Sequence, residues 1–193
     1  ALMRLRGEPT DAAIRSEAQR LGVDQPAVCP VASCSLSEPE LARIGPDAAG
    51  GHITSSVYFA TVASEENARF VRAWRARFPE LGAPSADAEA SYIAAHLLAR
   101  AIDRAGEAGF EAVRGAVSGV EFAAPQGAVR IDAENRHCHL HPRIGRSTGG
   151  GDFEILRETS RAVRPDPYLV WEPTPRAEAS PFAAGPSGIR RVS

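Results

Sequence analysis

Two segments in the first half of the chain carry apolar residues at helical spacing. Residues 10–21 repeat alanine, isoleucine and leucine every three or four positions, and a threonine and a glycine typical of helix ends flank them. Residues 64–78 carry an aromatic stripe in which Phe70, Trp74 and Phe78 stand at i, i+4 and i+8. We therefore predict a helix in each segment and place the aromatic stripe in the core.

Residues 87–105 have the most regular apolar pattern and predict the longest helix. Asp87 stands at its start, where a carboxylate either caps the first turn or is favoured by the helix dipole. Gly106 follows its end, a common position for glycine at a helix C-terminus. A shorter helix is predicted over residues 110–117. The apolar face predicted for the long helix consists of Leu98, Ala101, Ile102 and Ala105.

Short runs of apolar and β-branched residues predict strands between these helices. Residues 27–32 form an apolar run bounded by proline and serine, and residues 51–59 are rich in β-branched and aromatic side chains. Between these runs, Ser37 and Glu40 have the spacing of a capping box, which predicts a short helix that begins after Ser37.

The pattern changes after residue 120. Residues 120–131 predict two strands joined by a tight turn, and residues 136–146 and 152–159 predict a second hairpin around three consecutive glycines. The last segment, 173–193, is rich in proline, alanine and serine, which predicts a mobile tail. Strands that alternate with helices up to residue 120 favour an α/β fold. Its parallel sheets would be flanked by helices, and the C-terminal hairpins would add antiparallel strands.

Composition and motif content exclude several classes of function. The net charge is −2, whereas nucleic-acid-binding proteins usually carry a basic excess, so we expect no direct contact with DNA or RNA. No apolar run approaches the ~18 residues that a membrane span needs, so we expect no membrane insertion. Neither a dinucleotide-binding glycine motif nor a P-loop is present, so we expect no cofactor.

The chain has three cysteines, Cys29, Cys34 and Cys138, and an odd number makes a poor disulfide framework. Cys29 and Cys34 lie in or beside an apolar run, where cysteine usually behaves as a small buried apolar residue. Free thiols suit a reducing compartment and residues 1–6 show no secretion signal, so we expect a cytoplasmic protein. The chain does not begin with methionine, and a signal peptide upstream of Ala1 would instead indicate a periplasmic or extracellular protein.

The segment that contains His137, Cys138, His139 and His141 is the one cluster that suggests metal chemistry. On a strand, residues at i, i+2 and i+4 point to one face, so the three imidazoles are candidate ligands of zinc or copper. Same-face Cβ atoms lie about 7 Å apart along a strand, which is long for three ligands of one ion. A solvated polar face is therefore the favoured interpretation, and a metal site is the alternative.

Tyr58 and Tyr92 are the candidate ligand-binding residues. Tyr58 ends a predicted strand and Tyr92 lies in the first turns of the longest helix, and open α/β sheets bind ligands where such ends meet. A tyrosine offers an apolar face and a hydroxyl, which suits a small polar ligand. The alternative is that both are core aromatics. No nucleophile motif is present, and Asp87 and Glu89 do not share a helix face, so we expect no enzyme activity.

Several short motifs, taken together in order, resemble one family. The motifs are residues 51–59 (GHITSSVYF), 70–71 (FV), 78–79 (FP), 88–92 (AEASY), 124–130 (APQGAVR) and 164–170 (RPDPYLV). Over roughly residues 25–172 they resemble the C-terminal half of type I periplasmic-binding-protein-like solute receptors. Within these, the chain is most similar to the amide-sensing negative regulator of the aliphatic amidase operon and to its urea or short-chain-amide transporter relatives.

The resemblance implies part of a two-lobed fold that closes on its ligand like a clamp. It places residues 1–57 in the second lobe, 58–135 in the first, and 136–172 in strands that return toward the second. Tyr58 then lies at a crossover, where closure bends the backbone. An isolated half would expose sheet edges and apolar faces, which favours association with a further chain, such as a homo-oligomer.

The function that the resemblance implies is that of a non-enzymatic sensor. A short-chain amide or urea-like molecule would bind between the lobes and control an antitermination regulator protein, which itself binds RNA. The alternative is the substrate-binding component of a urea or amide ABC transporter, with a permease as its partner. A third hypothesis is an enzyme or metal protein built on the histidine segment.

Overall fold

The computed structural model describes residues 20–21, 32–167 and 189–190. Its helices are α1 (Glu38–Ile44), α2 (Pro46–Ala49), α3 (Glu65–Arg77), α4 (Ala86–Ala105) and α5 (Phe110–Ala116), with a 3-10 turn over Pro79–Leu81. Its strands are β1 (Ala32–Ser33), β2 (Ile53–Ser56), β3 (Glu121–Ala124), β4 (Gly127–Ile131), β5 (Cys138–His139), β6 (Arg143–Ser147), β7 (Phe153–Thr159) and β8 (Ile189–Arg190). These elements form the mixed α/β fold that the sequence predicts.

Serine side chains begin the main helices. The predicted capping box is present at the start of α1, where Glu40 accepts the backbone N–H of Ser37 at 3.1 Å. Ser64 caps α3, as predicted, by accepting an N–H from Asn67 at 3.0 Å. Ser85 caps α4, so Asp87 is not the cap and lies in the first turn, where the helix dipole favours a carboxylate.

The larger sheet has five strands in the order β1-β2-β6-β7-β8. β1 and β2 run parallel, and the other neighbours run antiparallel. The predicted hairpin around the three glycines is formed by β6 and β7, with a register shift between Ile144 and Gly145. A Cβ at Gly145 would lie 2.7 Å from the ring of Phe59, so the absence of a side chain lets this ring pack directly on the sheet.

The smaller sheet has three antiparallel strands in the order β3-β4-β5. The predicted tight turn joins β3 to β4 through Pro125 and Gln126. Gly127 follows with a φ of 121°, a backbone conformation that favours glycine. The turn therefore forms for the local reasons that the sequence shows.

Two apolar clusters form the core, one for each sheet. Phe70 is buried in the first cluster, whereas Trp74 and Phe78 are only half-buried, so the predicted aromatic stripe belongs to the core in part. The first cluster contains Leu36, Leu41, Ala49, Tyr58, Phe59, Val62, Phe70, Phe153 and Ile155. The second, between α4 and the smaller sheet, contains Ile93, Leu97, Ala101, Val120, Phe122, Ala124, Val129 and Ile131.

The buried face of α4 differs from the predicted face. Leu98 is 53% exposed, and the predicted partners Ile102 and Ala105 are only half-buried. The buried residues recur at every fourth position: Glu89, Ile93, Leu97 and Ala101. The prediction was wrong about Leu98 because alanine and leucine occupy several faces of this helix, so apolar spacing alone does not select one of them.

Two strand predictions change in extent. Residues 136–146 do not form one strand: β5 pairs with β4 in the smaller sheet, and β6 pairs with β2 in the larger one. Pro142 lies between β5 and β6, and proline has no N–H for a ladder. β2 covers only Ile53–Ser56 of the predicted 51–59.

Some predictions fall wholly or partly outside the described residues. These are the helix at 10–21, the strand at 27–32, Cys29 and most of the segment 173–193, of which Ile189–Arg190 pairs with β7. The lobe boundaries stay predictions. Cys34 is exposed, contrary to the prediction, because it lies in the irregular segment after β1. Within the described part of the chain, no helix combines the length and the apolarity needed to cross a membrane.

Candidate functional site

The chain passes from the larger sheet to α3 through residues 57–64, which we call the crossover segment. Its backbone is held by two buried polar side chains, Glu38 and Asn67, and Asn67 is itself held by Tyr58. The N–H of Ala60 donates to Glu38 Oε1 at 2.7 Å, and Asn67 Nδ2 donates to two carbonyls of the segment at 2.9 and 2.7 Å. The Tyr58 hydroxyl donates to Asn67 Oδ1 at 2.8 Å. This conformation therefore depends on side chains from α1 and α3.

The turn between β3 and β4 is fixed by a carboxylate from α4. Glu89 is fully buried, and its two oxygens accept the backbone N–H of Gln126 at 3.2 Å and its side-chain Nε2 at 3.0 Å. Gln126 Oε1 in turn accepts the backbone N–H of His141 at 3.2 Å. The Ser64 hydroxyl donates to the carbonyl of Pro125 at 2.9 Å, which ties the crossover segment to the same turn.

Arg143 joins these parts to the larger sheet. Its side chain is 5% exposed and donates to the carbonyls of Val57 at 2.7 Å, His141 at 3.0 Å and Gln126 at 2.7 Å. Its Nε lies 3.3 Å from a carboxylate oxygen of Glu158 on β7. Glu89, Gln126, Arg143 and Glu158 therefore form one continuous polar network, which we call the junction network, between α4 and the larger sheet.

Burial governs the electrostatics of this network. Loss of solvation raises the pKa of Glu89 to about 7, and the hydrogen bonds from Gln126 and the charge of Arg143 offset only part of that rise. Burial also raises the pKa of the Tyr58 hydroxyl, which stays protonated and acts as a donor. Glu89 is thus a buried group that changes charge near neutral pH.

A cavity of about 640 Å³ lies beside the junction network. Its polar lining includes Ser64, Gln126, His141, Arg143 and Thr159. The Thr159 hydroxyl oxygen is shielded from solvent and has no hydrogen-bond partner among the described residues. Since buried polar atoms are normally paired, this hydroxyl is available to a small polar molecule in the cavity.

A family model described as the periplasmic binding protein domain matches residues 5–174, which is most of the chain. The chain belongs to this family. Because the match includes every strand except β8 and all the residues that line the cavity, the geometry above is that of a periplasmic binding protein domain.

Solved structures show the same fold. A solute-binding protein of an ABC transporter from Rhodopseudomonas palustris in complex with 4-hydroxybenzoate has a TM-score of 0.68 at 22% identity, over 86% of this chain and 46% of that one. A second, from Rhodopseudomonas palustris BisB5 in complex with 3,4-dihydroxybenzoic acid, has a TM-score of 0.67 at 24% identity, with coverages of 79% and 42%. A leucine binding protein from Thermotoga maritima has a TM-score of 0.61 at 23% identity, with coverages of 76% and 41%.

The chain spans less than half the length of each of these three proteins. The family and its structural neighbours are binding proteins rather than enzymes, and the two Rhodopseudomonas palustris neighbours are solute-binding proteins of ABC transporters. The predicted resemblance to type I periplasmic-binding-protein-like receptors is thereby confirmed at the level of the fold. The predicted specificity of an amide-sensing regulator stays a prediction.

In this periplasmic binding protein domain, neither Tyr58 nor Tyr92 lines the cavity beside the junction network. Tyr58 is 1% exposed and belongs to the core. Tyr92 is 36% exposed and packs between Phe70 and Phe122, with ring centroids 4.8 and 5.8 Å away. The Tyr58 ring thus packs as the core alternative expects, whereas Tyr92 belongs to neither apolar cluster, and the role of both in ligand binding stays a prediction.

Each histidine of the predicted metal segment has its own surroundings. His137 is exposed, His139 Nε2 lies 3.0 Å from Asp132 Oδ2, and His141 Nε2 lies 3.0 Å from the carbonyl of Ala128. Among the residues that the structure describes, no group of three His, Cys, Asp or Glu side chains is placed to hold a metal ion. The three imidazoles are therefore not assembled around one point.

Asp132 also receives a side chain from the RPDPY motif. Arg164 Nε donates to Asp132 Oδ2 at 2.9 Å, and this guanidinium holds the pKa of the carboxyl below its usual range. His139 and the backbone N–H groups of Glu134 and Asn135 donate to the same carboxylate. Arg164 thus links the RPDPY motif to Asp132, which directly follows β4 of the smaller sheet.

Sequence reasoning did not single out Glu89, Gln126 or Arg143 as site residues. Glu89 had a usable signal, because it shares a helix face with Ile93 and a carboxylate on an apolar face needs buried partners. Gln126 and Arg143 had no comparable signal as site residues, since apart from the His141 carbonyl their hydrogen-bond partners lie 15 to 86 positions away in the chain.

Proposed function

We propose that this periplasmic binding protein domain is the ligand-binding part of an ABC transporter substrate-binding protein and that it does not act as an enzyme. The observation that carries the proposal is the shared fold with solute-binding proteins of ABC transporters, over 79–86% of this chain. The partner is then an ABC permease, and the working compartment is the outer side of the cytoplasmic membrane. Fractionation of cells that express the natural gene tests the compartment.

The proposed ligand site is the cavity beside the junction network. Its lining combines the Thr159 hydroxyl, which has no partner among the described residues, with the polar side chains of Ser64, His141 and Arg143, which suits a small polar molecule. The crossover segment and the junction network both connect the two sheets, so movement at these connections would open or close the cavity. A ligand shifts that equilibrium only as far as it binds one of the two forms more tightly.

For the ligand itself we infer a short-chain amide or urea, because the motifs at residues 124–130 and 164–170 resemble those of amide and urea receptors. Two of the three solved neighbours are complexes with hydroxylated benzoic acids, and the third is called a leucine binding protein. An amide has one acceptor oxygen and N–H donors, so uncharged polar groups can bind it. A carboxylate ligand requires a cation, and the guanidinium of Arg143 is already close to the Glu158 carboxylate.

The amide-sensing regulator is the second candidate function, and the same two motifs favour it. In that case the ligand would control an antitermination protein in the cytoplasm. We place it second because the structural neighbours are transport proteins. Co-purification of an RNA-binding partner that dissociates with acetamide would favour the sensor, whereas co-purification of a permease would favour the transporter.

Titration calorimetry of the 193-residue chain tests the ligand site. The panel is acetamide, urea, leucine and 4-hydroxybenzoate, each titrated into wild type, Thr159→Val and Ser160→Ala. Thr159→Val removes the unpartnered hydroxyl and keeps the shape of the side chain, so the ligand that binds should lose about 3- to 10-fold in affinity.

Ser160→Ala is the matched control, since Ser160 is exposed and lines the same cavity. Its affinity should stay within about twofold of wild type. No binding of any ligand would contradict the proposal for this chain, and binding that ignores Thr159→Val would place the ligand elsewhere.

A further inference from the structure

A second cavity, of about 420 Å³, lies on another part of the molecule. Its walls come from α1 and α2, from the glycine tip of the β6–β7 hairpin, and from the end of α3 with the loop beyond it. It shares no lining residue with the cavity proposed for the ligand. Three charged side chains line it: Glu38, Asp152 and Arg75.

Glu38 is the unusual member of this lining. Its side chain is 3% exposed, and Oε1 accepts the N–H of Ala60 at 2.7 Å. Oε2 is shielded from solvent and has no hydrogen-bond partner among the described residues. A buried carboxylate oxygen without a donor is costly, and such groups in folded proteins normally face a cation or a donor.

The groups around Glu38 favour a positive charge beside its carboxylate. Burial raises the pKa of its carboxyl, hydrogen bonds from the backbone N–H groups of Ala60 and of Glu38 itself lower it in part, and the negative charges of Asp152 and Glu40 raise it further. Asp152 lines the same cavity from the hairpin, where its Oδ1 accepts the Thr148 hydroxyl. Two carboxylates therefore border one cavity, and Arg75 is the single cation among the described residues that line it.

The chemistry of the lining selects the kind of cation. No group of three His, Cys, Asp or Glu side chains in the described part of the chain is placed to hold a metal ion, and Glu38 with Asp152 gives only two carboxylates. A primary ammonium brings one positive charge and three N–H donors, so a single group can pair with both carboxylates. The volume admits a small organic molecule that carries this group.

We propose that this second cavity binds a primary ammonium cation, with an N–H donated to Glu38 Oε2 and the Asp152 carboxylate completing its charge balance. Arg75 is exposed and is the one cation among the lining residues, so the ammonium binds at the Glu38 and Asp152 end. The site also meets the crossover segment, because the other oxygen of Glu38 holds Ala60. A bound cation would thus stabilise the carboxylate that fixes this segment.

Titration of the 193-residue chain with methylammonium chloride, at constant ionic strength, tests the site. Tetramethylammonium is the matched probe, since it carries the same charge but no N–H donor. We expect saturable binding of methylammonium and binding of tetramethylammonium that is at least about tenfold weaker.

Glu38→Gln keeps an acceptor for Ala60 and removes the charge, and it should weaken methylammonium binding by at least about tenfold. Asp152→Asn, on the hairpin, should weaken it by about 3- to 10-fold and serves if Glu38→Gln does not fold, as judged by circular dichroism. Glu80→Gln removes one negative charge close to the cavity without changing its lining, and it should bind as wild type does.

Three results would each overturn the proposal: no saturable methylammonium binding, equal binding of tetramethylammonium, or unchanged binding by both Glu38→Gln and Asp152→Asn. None of these results bears on the ligand cavity, because Thr159→Val tests that cavity with a different set of ligands. The ligand panel can likewise fail without affecting the ammonium site.

Discussion

Replacing Glu89 by glutamine tests whether one buried carboxylate sets part of the pH dependence of stability in this domain. Glu89 is fully buried, and its oxygens accept two N–H groups of Gln126. Glutamine keeps the size and one acceptor oxygen, but its NH₂ group would face the Nε2 donor of Gln126. The variant therefore loses one buried hydrogen bond, at a cost of about 1 kcal/mol, and no longer buries a charge at high pH.

The magnitude follows from the change in pKa. Burial raises the pKa of Glu89 from 4.5 to about 7, and one pKa unit corresponds to about 1.4 kcal/mol. Between these two values the folded chain binds more protons than the unfolded chain does, so stability falls as pH rises. The contribution is full below pH 4.5 and is lost as pH rises through about 7. Wild type should lose about 3 kcal/mol of unfolding free energy from this group by pH 8.

The assay is urea unfolding of wild type, Glu89→Gln and Glu107→Gln at pH 5, 6, 7 and 8. Glu107 is exposed just beyond the end of α4, so Glu107→Gln makes the same change of charge without the burial. The difference in unfolding free energy between wild type and Glu89→Gln should fall by about 2.5 kcal/mol across this range. Glu107→Gln should stay parallel to wild type. Parallel pH profiles for wild type and Glu89→Gln would refute the burial argument.

Four further substitutions test the packing and the charge pairs. Gly145→Ala puts a Cβ 2.7 Å from the Phe59 ring and should destabilise the fold by about 1–3 kcal/mol, measured as a lower thermal midpoint. Gly115→Ala, whose Cβ has no atom within 4 Å, should stabilise α5 by up to about 1 kcal/mol; equal shifts for the two variants would contradict the packing argument. Arg143→Met leaves the Glu158 carboxylate and three carbonyls without this donor and should cost about 3–5 kcal/mol in urea unfolding, whereas a cost under about 1 kcal/mol would mean that water replaces the guanidinium. Arg164 holds the pKa of Asp132 below its usual range, so the stability from this carboxylate is present above its unfolded pKa and lost as pH falls through the folded one. Asp132→Asn should therefore unfold less steeply with acid than wild type does, as followed by circular dichroism, and identical acid profiles would contradict the role of this pair.

The local elements could be predicted because their determinants are adjacent in the chain. Ser37 with Glu40 and the serine at position 64 mark helix starts through hydrogen bonds that span three residues. The turn at Pro125 and Gln126 depends on its own residues and on the positive φ of Gly127. The motifs, taken in order, also indicated the family, because proteins that share a fold share short motifs at the same local structures.

Most of the candidate site could not be predicted from the sequence. Tyr58 and Tyr92 were chosen for their places at the ends of elements, but the junction network is built from Glu89, Gln126 and Arg143. Glu89 lies 37 positions from Gln126, and Gln126 lies 17 from Arg143. The periodicity of a helix or a strand gives no information about contacts between residues so far apart in the chain.

The sequence by itself determined where α1, α3, α4, α5, the tight turn and the hairpin form, because short-range hydrogen bonds and backbone preferences decide these features. Only the tertiary structure decided that Leu98 faces solvent while Glu89 is buried, and that the segment around Pro142 divides between two sheets. The physical reason is that burial is a property of the whole packed fold. The buried face of a helix can differ from its predicted apolar face, and a carboxylate can be buried, only where distant segments supply the packing and the hydrogen bonds.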